Sequence, residues 1–141
     1  MSRSLDELDA DVRRMAIQLQ SDCLMAGIKV MFVQTYRTAA EQALLYAQGR
    51  TAPGKIVTNA PPGYSWHEFR RAFDIAENDR TPYDIGAPGL GPEDEAWWSK
   101  VGDIGEAIGL EWGGRWKHPD RPHFQHTSGW TLSFMRANAK R

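Results

Sequence analysis

The sequence is poor in features that would point to several large classes of protein. It has one cysteine, Cys23, in 141 residues, so no disulfide can form within the chain. No stretch approaches the roughly 18 consecutive apolar residues of a membrane span, so membrane insertion is not expected. Neither sign of charge is in excess: 17 Lys and Arg face 18 Asp and Glu, for a formal net charge of −1. No general field therefore draws this chain to nucleic acid or to an anionic membrane. The first residues alternate in charge from Arg3 to Arg14 and lack the apolar centre of a secretion signal, so synthesis in the cytoplasm is expected.

What the sequence does contain fits one folded domain over residues 1–141, expected to be monomeric. Hydrophobic residues make up 41% and charged residues 25%, which is ordinary for a globular protein of this length. Ser4-Leu5-Asp6-Glu7 reads as a capping box. Behind it Leu5, Leu8, Val12, Met15, Leu19 and Cys23 form one apolar helical stripe, with Gly27 as its stop. Ile28 to Tyr36 reads as a buried strand. A second capping box, Thr38 to Glu41, opens a short helix with Ala40, Leu44 and Leu45 inward. Two stretches rich in Pro and Gly, Arg50 to Tyr64 and Asn78 to Pro92, read as long loops around a strand from Arg71 to Ala76. A helix with Trp97, Trp98, Val101, Ile104 and Ile108 follows, ending at Gly109. Short strands near Leu110 to Trp112 and Pro122 to His126, and a last helix over Leu132 to Ala139, complete an α+β domain. Its sheet is expected to be small and mainly antiparallel, with flanking helices.

The chemistry concentrates in two segments. In the strand containing Ala72, Phe73, Asp74 and Ile75, alternation turns Phe73 and Ile75 one way and Asp74 the other, between two alanines. His67, seven residues earlier, would face the opposite way in an unbroken strand, so it is expected in the approaching loop, where the chain can turn its imidazole back toward Asp74. In Asp120-Arg121-Pro122-His123-Phe124-Gln125-His126, alternation puts His123 and Gln125 on one face. If Phe124 is core, His123 faces outward and His126 does not. Two imidazoles and a carboxylate make a common three-ligand zinc set, leaving a fourth position for water. Amide hydrolysis then needs a carboxylate off the metal to accept the water proton. Asp120 suits that role by position; Glu68 and Glu111 are the other carboxylates to weigh. Against this, a lone histidine is more often a surface or hydrogen-bonded core residue. His118 reads as solvated, Cys23 as packing, and the six tryptophans as core more than as a sugar-binding surface.

These residues resemble the M15 family of zinc D-Ala-D-Ala carboxypeptidases and phage L-alanyl-D-glutamate endopeptidases. The family pattern is Ser-x-His-x6-Asp, then an acidic residue three positions before a final histidine. Ser65, His67, Asp74, Asp120 and His123 match it in order and spacing. Tyr36-Arg37-Thr38, Glu41-Gln42, Leu45 to Arg50, Pro53-Gly54 and Pro122-His123-Phe124 are similar to the endolysin branch in particular. The resemblance implies zinc held by His67, Asp74 and His123, with Asp120 as general base. It implies that Arg37 binds substrate and meets the developing oxyanion; the lesser alternative is a surface ion-pair partner. Gln42 and Ser65 would be substrate contacts or structural caps. The implied substrate is the stem peptide of peptidoglycan, cut at the L-alanyl-D-glutamate bond. The runners-up are a D,D-carboxypeptidase and a non-catalytic wall-binding zinc domain. Without a signal segment or wall-binding module, the expectation is a lysin of thin walls that acts once the membrane is breached. One departure concerns backbone: Arg70 stands where relatives often have glycine, and arginine resists the angles that glycine allows.

Overall fold

The computed structural model describes residues 1–78 and 95–138. Among these residues the chain forms four α-helices and one four-stranded sheet. The helices are α1 (Ala10–Met25), α2 (Ala39–Ala47), α3 (Glu95–Ile108) and α4 (Leu132–Asn138). The strands are β1 (Val30–Gln34), β2 (Ala72–Glu77), β3 (Glu111–Trp112) and β4 (His123–Gln125). They lie in the order β1-β2-β4-β3, every pair antiparallel. The chain is an α+β fold.

One face of the sheet is apolar and packs on α1 and α3. Phe73 pairs with Phe124, which pairs with Trp112, so aromatic rings run in a row across three strands. Phe73 and Phe124 stack at 5.8 Å. Val12, Leu19 and Cys23 of α1 and Trp98 and Val101 of α3 close over them. Cys23 is fully enclosed, and burial pushes its thiol up to about 11, so it packs rather than reacts. Gly105 lets α3 approach: a Cβ there would lie 2.5 Å from the Phe124 ring.

The N-terminal stripe does not form one helix. The Ser4 hydroxyl caps a 3₁₀ turn over Leu5–Glu7, accepting from the Asp6 amide, and the chain opens before α1 starts with Asp9 at its cap. The Asp9 amide bonds the Arg70 carbonyl, and Arg70 in turn binds the Glu7 carboxylate at 2.6 Å. This tertiary tie breaks the helix that the spacing favours. Arg70 itself has φ 63, the left-handed geometry that the local turn requires. Its guanidinium lies 3.9 Å from the Tyr36 ring centre, and these contacts hold a conformation that costs a non-glycine residue about 1–2 kcal/mol. The turn therefore survives without glycine.

β1 is shorter than the expected Ile28–Tyr36, because its flanks bond elsewhere: Ile28 to the Cys23 carbonyl, Thr35 to that of Ser2. In α2 the capping box of Thr38 and Glu41 closes as expected. Its inward face, however, is not Ala40 and Leu44; Leu44 is 75% exposed and Gln42 is fully buried. α2 covers a polar cleft rather than the apolar core, so a rule that puts leucine inside picks the wrong side. The loop from Arg50 is pinned by the Arg50 guanidinium, which bonds the carbonyls of Tyr46 and Thr58. Most of the second expected loop, from residue 79 to residue 92, lies outside the described residues, as does Ala139.

Candidate active site

The opposite face of the sheet carries the polar residues. Register sets Gln34 beside Asp74 and Asp74 beside His123, one row across β1, β2 and β4. In the next row Ala72 pairs with Gln125, and Gln125 with Glu111. Phe124 is core, so His123 and Gln125 face the cleft, and His126 leaves the ladder with its amide on the Arg71 carbonyl. His67 arrives from a 3₁₀ turn, Trp66–Phe69, rather than a loop. Ser65 caps that turn by accepting from the His67 amide, and Glu68 accepts from the amides of Ser65 and Gly63.

The three expected ligand groups come together. His67 Nε2 lies 3.3 Å from Asp74 Oδ1, and His123 Nδ1 lies 3.4 Å from the same oxygen. One ligand atom from each residue falls within 4.8 Å of the others, a grouping able to hold a metal ion. Each ring is held from behind. His67 Nδ1 is 2.8 Å from the Thr35 carbonyl, which only accepts, so Nδ1 carries the proton and Nε2 offers its lone pair. His123 Nε2 is 2.7 Å from Gln125 Oε1, which leaves Nδ1 free on the side of Asp74.

Asp74 Oδ1 is buried and has no hydrogen-bond partner among the described residues. An orphaned carboxylate oxygen between two imidazole lone pairs is costly unless a cation meets it. The donor set therefore fits a divalent metal of the kind bound by nitrogen and oxygen together. Burial alone would raise the Asp74 carboxyl, but in the metal-free chain His67 and His123, when protonated, reverse this and hold it far below the usual carboxylate range.

These groups open into a cleft of about 330 Å³, whose wall includes Gln34, Arg37, Tyr64, Trp116 and Asp120. A second hollow of about 650 Å³ shares Thr58, Tyr64, Trp116 and Asp120 with it. Asp120 is the one carboxylate of the three weighed that lines the cleft off the ligand set. Its Oδ2 lies 3.9 Å from His123 Nδ1, and its side chain is 51% exposed. Burial raises its carboxyl above the ordinary value; His123 opposes this and the charge of Asp74 adds to it. Gly113 fixes its place: the Asp120 amide bonds the Gly113 carbonyl at 2.9 Å, and a Cβ on Gly113 would meet the Asp120 carbonyl at 2.5 Å. Glu68 is fully engaged in its turn, and Glu111 Oε2 accepts from Trp116 and Gln125, so neither stands where a base would.

Arg37 is buried and lines the cleft, with Nη1 on Gln42 Oε1 at 2.8 Å and Nη2 on Gln34 Oε1. Its Nε has no partner among the described residues. Burial lowers its pKa, while the carboxylates of Asp74 and Glu68 pull it back up. Gln42 sits behind Arg37, bonded also to the Ala60 carbonyl at 2.7 Å, and its contacts are with protein rather than with the cleft. Ser65 both caps its turn and lines the cleft. Gln34 and Trp116 also line the cleft, and neither carries a signal of its own in the sequence: one lies within a stretch that composition marks only as buried strand, the other is one of six tryptophans that favour the core.

Comparison with known proteins agrees with this geometry. A peptidase M15 model described as D-alanyl-D-alanine carboxypeptidase matches residues 58–126, the stretch with His67, Asp74, Asp120 and His123. The peptidoglycan L-alanyl-D-glutamate endopeptidase CwlK of Bacillus subtilis is 34% identical over 123 residues, 84% of this chain and 73% of that protein. The chain belongs to the M15 family of metallopeptidases. Among solved structures, the Serratia marcescens L-Ala D-Glu endopeptidase ChiX has a TM-score of 0.60 at 20% identity, over 89% of this chain and 87% of that one. The vancomycin-resistance D,D-pentapeptidase VanY in complex with Zn(II) has a TM-score of 0.59 at 12% identity, over 93% of this chain and 79% of that one. Both share its fold.

Proposed function

We propose that this chain is a zinc-dependent peptidoglycan hydrolase that cuts the L-alanyl-D-glutamate bond of stem peptides. The observation that carries the reading is the convergence of His67 Nε2, Asp74 Oδ1 and His123 Nδ1 on one point at the floor of a cleft. The likeness to CwlK favours this bond. The chemistry that zinc supplies when bound by these residues is polarisation of the scissile carbonyl and acidification of water toward neutral pH.

The residues of the chain do the rest. Asp120 accepts the proton of the attacking water and returns it to the leaving amine, a role that its place in the cleft beside His123 and off the ligand set suits. Arg37, held by Gln34 and Gln42 in the wall of the cleft, sets its fixed positive charge against the negative charge that develops on the carbonyl oxygen. The stem peptide lies along the two joined hollows. Among the described residues lining them, Arg37 is the one guanidinium or ammonium group. A second cation is one common means of holding a terminal carboxylate, and the lack of one among these lining residues favours an endopeptidase. The setting we propose is wall breakdown of the endolysin kind, reached from the cytoplasm once the membrane is breached.

Digestion of purified sacculi, with product identification by mass spectrometry and metal analysis of the enzyme, tests the proposal. New N-terminal D-glutamate with about one zinc per chain is the expected result. The matching model's description, D-alanyl-D-alanine carboxypeptidase, favours a second reading. Release of free D-alanine would establish that reading instead. Sacculi bound but left intact with zinc supplied would make the chain a non-catalytic wall-binding domain.

A further inference from the structure

We propose that Glu111, outside the cleft and not a ligand, is a positioning residue for the metal centre. It acts through Gln125, which decides which nitrogen of His123 carries the proton. The proposal rests on the reading of His123 as a metal ligand.

The argument follows donors and acceptors along one row of the sheet. Glu111 and Gln125 are direct cross-strand partners on β3 and β4. A carboxylate only accepts, so Gln125 must turn its Nε2 toward Glu111 Oε2, 3.2 Å away. That leaves Gln125 Oε1 toward His123 Nε2 at 2.7 Å. An amide oxygen also only accepts, so Gln125 favours the His123 proton on Nε2 and the lone pair on Nδ1, against the pull of the Asp74 and Asp120 carboxylates that face Nδ1. Reversing the polarity at Glu111 reverses every step. A donor there would turn the amide over, Nε2 would have to accept, and the proton would move to Nδ1, in the way of the metal.

Glu111 also controls the ring from its other side. The same Oε2 accepts from Trp116 Nε1 at 2.9 Å, and the indole lies 5.1 Å from the His123 ring, centre to centre. One carboxylate thus orders the amide and the indole that flank the imidazole. Gln125 and His123 are buried, so the bond between them is shielded from water, while Glu111 grips the amide from the exposed end of the row. Partners of this kind change metal affinity about 10- to 100-fold. A cross-strand contact serving stability alone would change neither affinity nor tautomer.

Three variants separate these possibilities: Glu111→Gln, Glu111→Ala and Glu111→Lys. Two readouts apply, zinc affinity by competition with a chelator and the His123 tautomer by long-range proton–nitrogen NMR on the metal-free protein at alkaline pH. Glu111→Gln can keep an oxygen facing Gln125 and should bind zinc within a few-fold of the parent. Glu111→Ala should lose about 10-fold with mixed tautomers, and Glu111→Lys about 100-fold with the proton on Nδ1. Parent-like affinity and an Nε2 proton in Glu111→Lys would overturn the proposal. Should that variant not fold, parent-like values for both readouts in Glu111→Ala would overturn it. If the parent chain takes up no zinc, the metal reading fails. The tautomers alone then decide the relay, supported by a shift in Glu111→Lys and refuted by none.

Discussion

Asp74 and His123 are paired residues of neighbouring antiparallel strands, and their side chains meet at 3.4 Å on the open face of the sheet. Two of the three ligand groups are therefore fixed by strand register rather than by loops. A slip of one residue would send His123 into the core and bring Phe124 out. The stacked Phe73 and Phe124 on the other face resist that slip, so the core and the site depend on the same register.

The first prediction separates ligand from base. His67→Ala removes a nitrogen that faces Asp74 Oδ1 and should lose zinc and turnover together. Asp120→Ala removes a group that lines the cleft without belonging to the ligand set, so zinc should remain while kcat falls by about 10²–10⁴. Metal content and kcat on the same preparations check both. Loss of zinc from Asp120→Ala, or near-parental turnover in it, would reject the assigned role.

A second prediction contrasts two arginines with similar partners. Arg71 is 2% exposed, bonds both oxygens of Asp11, and also holds the His126 carbonyl and Ser128 hydroxyl. Arg115 is 54% exposed and pairs with Asp103 and Glu106. Arg71→Met should lower stability by about 3 kcal/mol, the lower end for breaking a buried pair, because Asp11 can return to water. Arg115→Met should cost under ~1 kcal/mol, as exposed pairs do. Urea unfolding at constant m-value measures both. Equal costs would mean that the buried cluster does not tie α1 to the C-terminal turn.

Acid should expose the capping box of α2. The Thr38 amide, bonding Glu41 at 3.0 Å, leads the interactions that hold the Glu41 carboxyl down to about 2, against its ordinary value of 4.5. A carboxyl lowered in the folded state stabilises above its unfolded pKa, and that contribution disappears as pH falls through the folded one. Glu41→Gln keeps the bond to the Thr38 amide but loses the charge, and should be less stable than the parent by about 0.3–1 kcal/mol at neutral pH. The gap should close between pH 4.5 and about 2. Urea midpoints across that window test it, and a gap that persists unchanged to the acid end would remove Glu41 as its source.

Much of the site could be read from the sequence because it lies on strands. A period of two says which face Asp74, His123 and Gln125 share, and whether His126 joins them, before any contact is known. The paired capping residues Thr38 and Glu41 were legible for a similar reason, since both halves are local. What could not be read depends on distant chain. The tie from Arg70 to Glu7 splits the first helix, and no spacing within the stripe reports it. Likewise Gln42 turns inward only because Arg37 and Ala60 wait there. Glu68 looked like a candidate base because composition cannot tell a free carboxylate from one consumed by the amides of Gly63 and Ser65.

The last prediction tests the link between core and site. Gly105 faces Phe124 so closely that an added methyl would lie 2.5 Å from Cε1 and 2.9 Å from Cδ1 of the ring. Alanine normally improves a helix interior by about 1 kcal/mol over glycine. Overpacking a closed core costs about 1–3 kcal/mol, and the Phe124 ring, stacked on Phe73, has no room to yield. The second effect should win, so Gly105→Ala should be less stable than the parent. Because Phe124 sits between His123 and Gln125 on β4, the displaced strand should also weaken zinc binding. Adding Phe124→Leu makes space, so the double variant should recover more than the sum of the single effects allows. A Gly105→Ala protein that gained stability and bound zinc like its parent would mean that the helix does not press on the strand, and the register of the site would need another explanation.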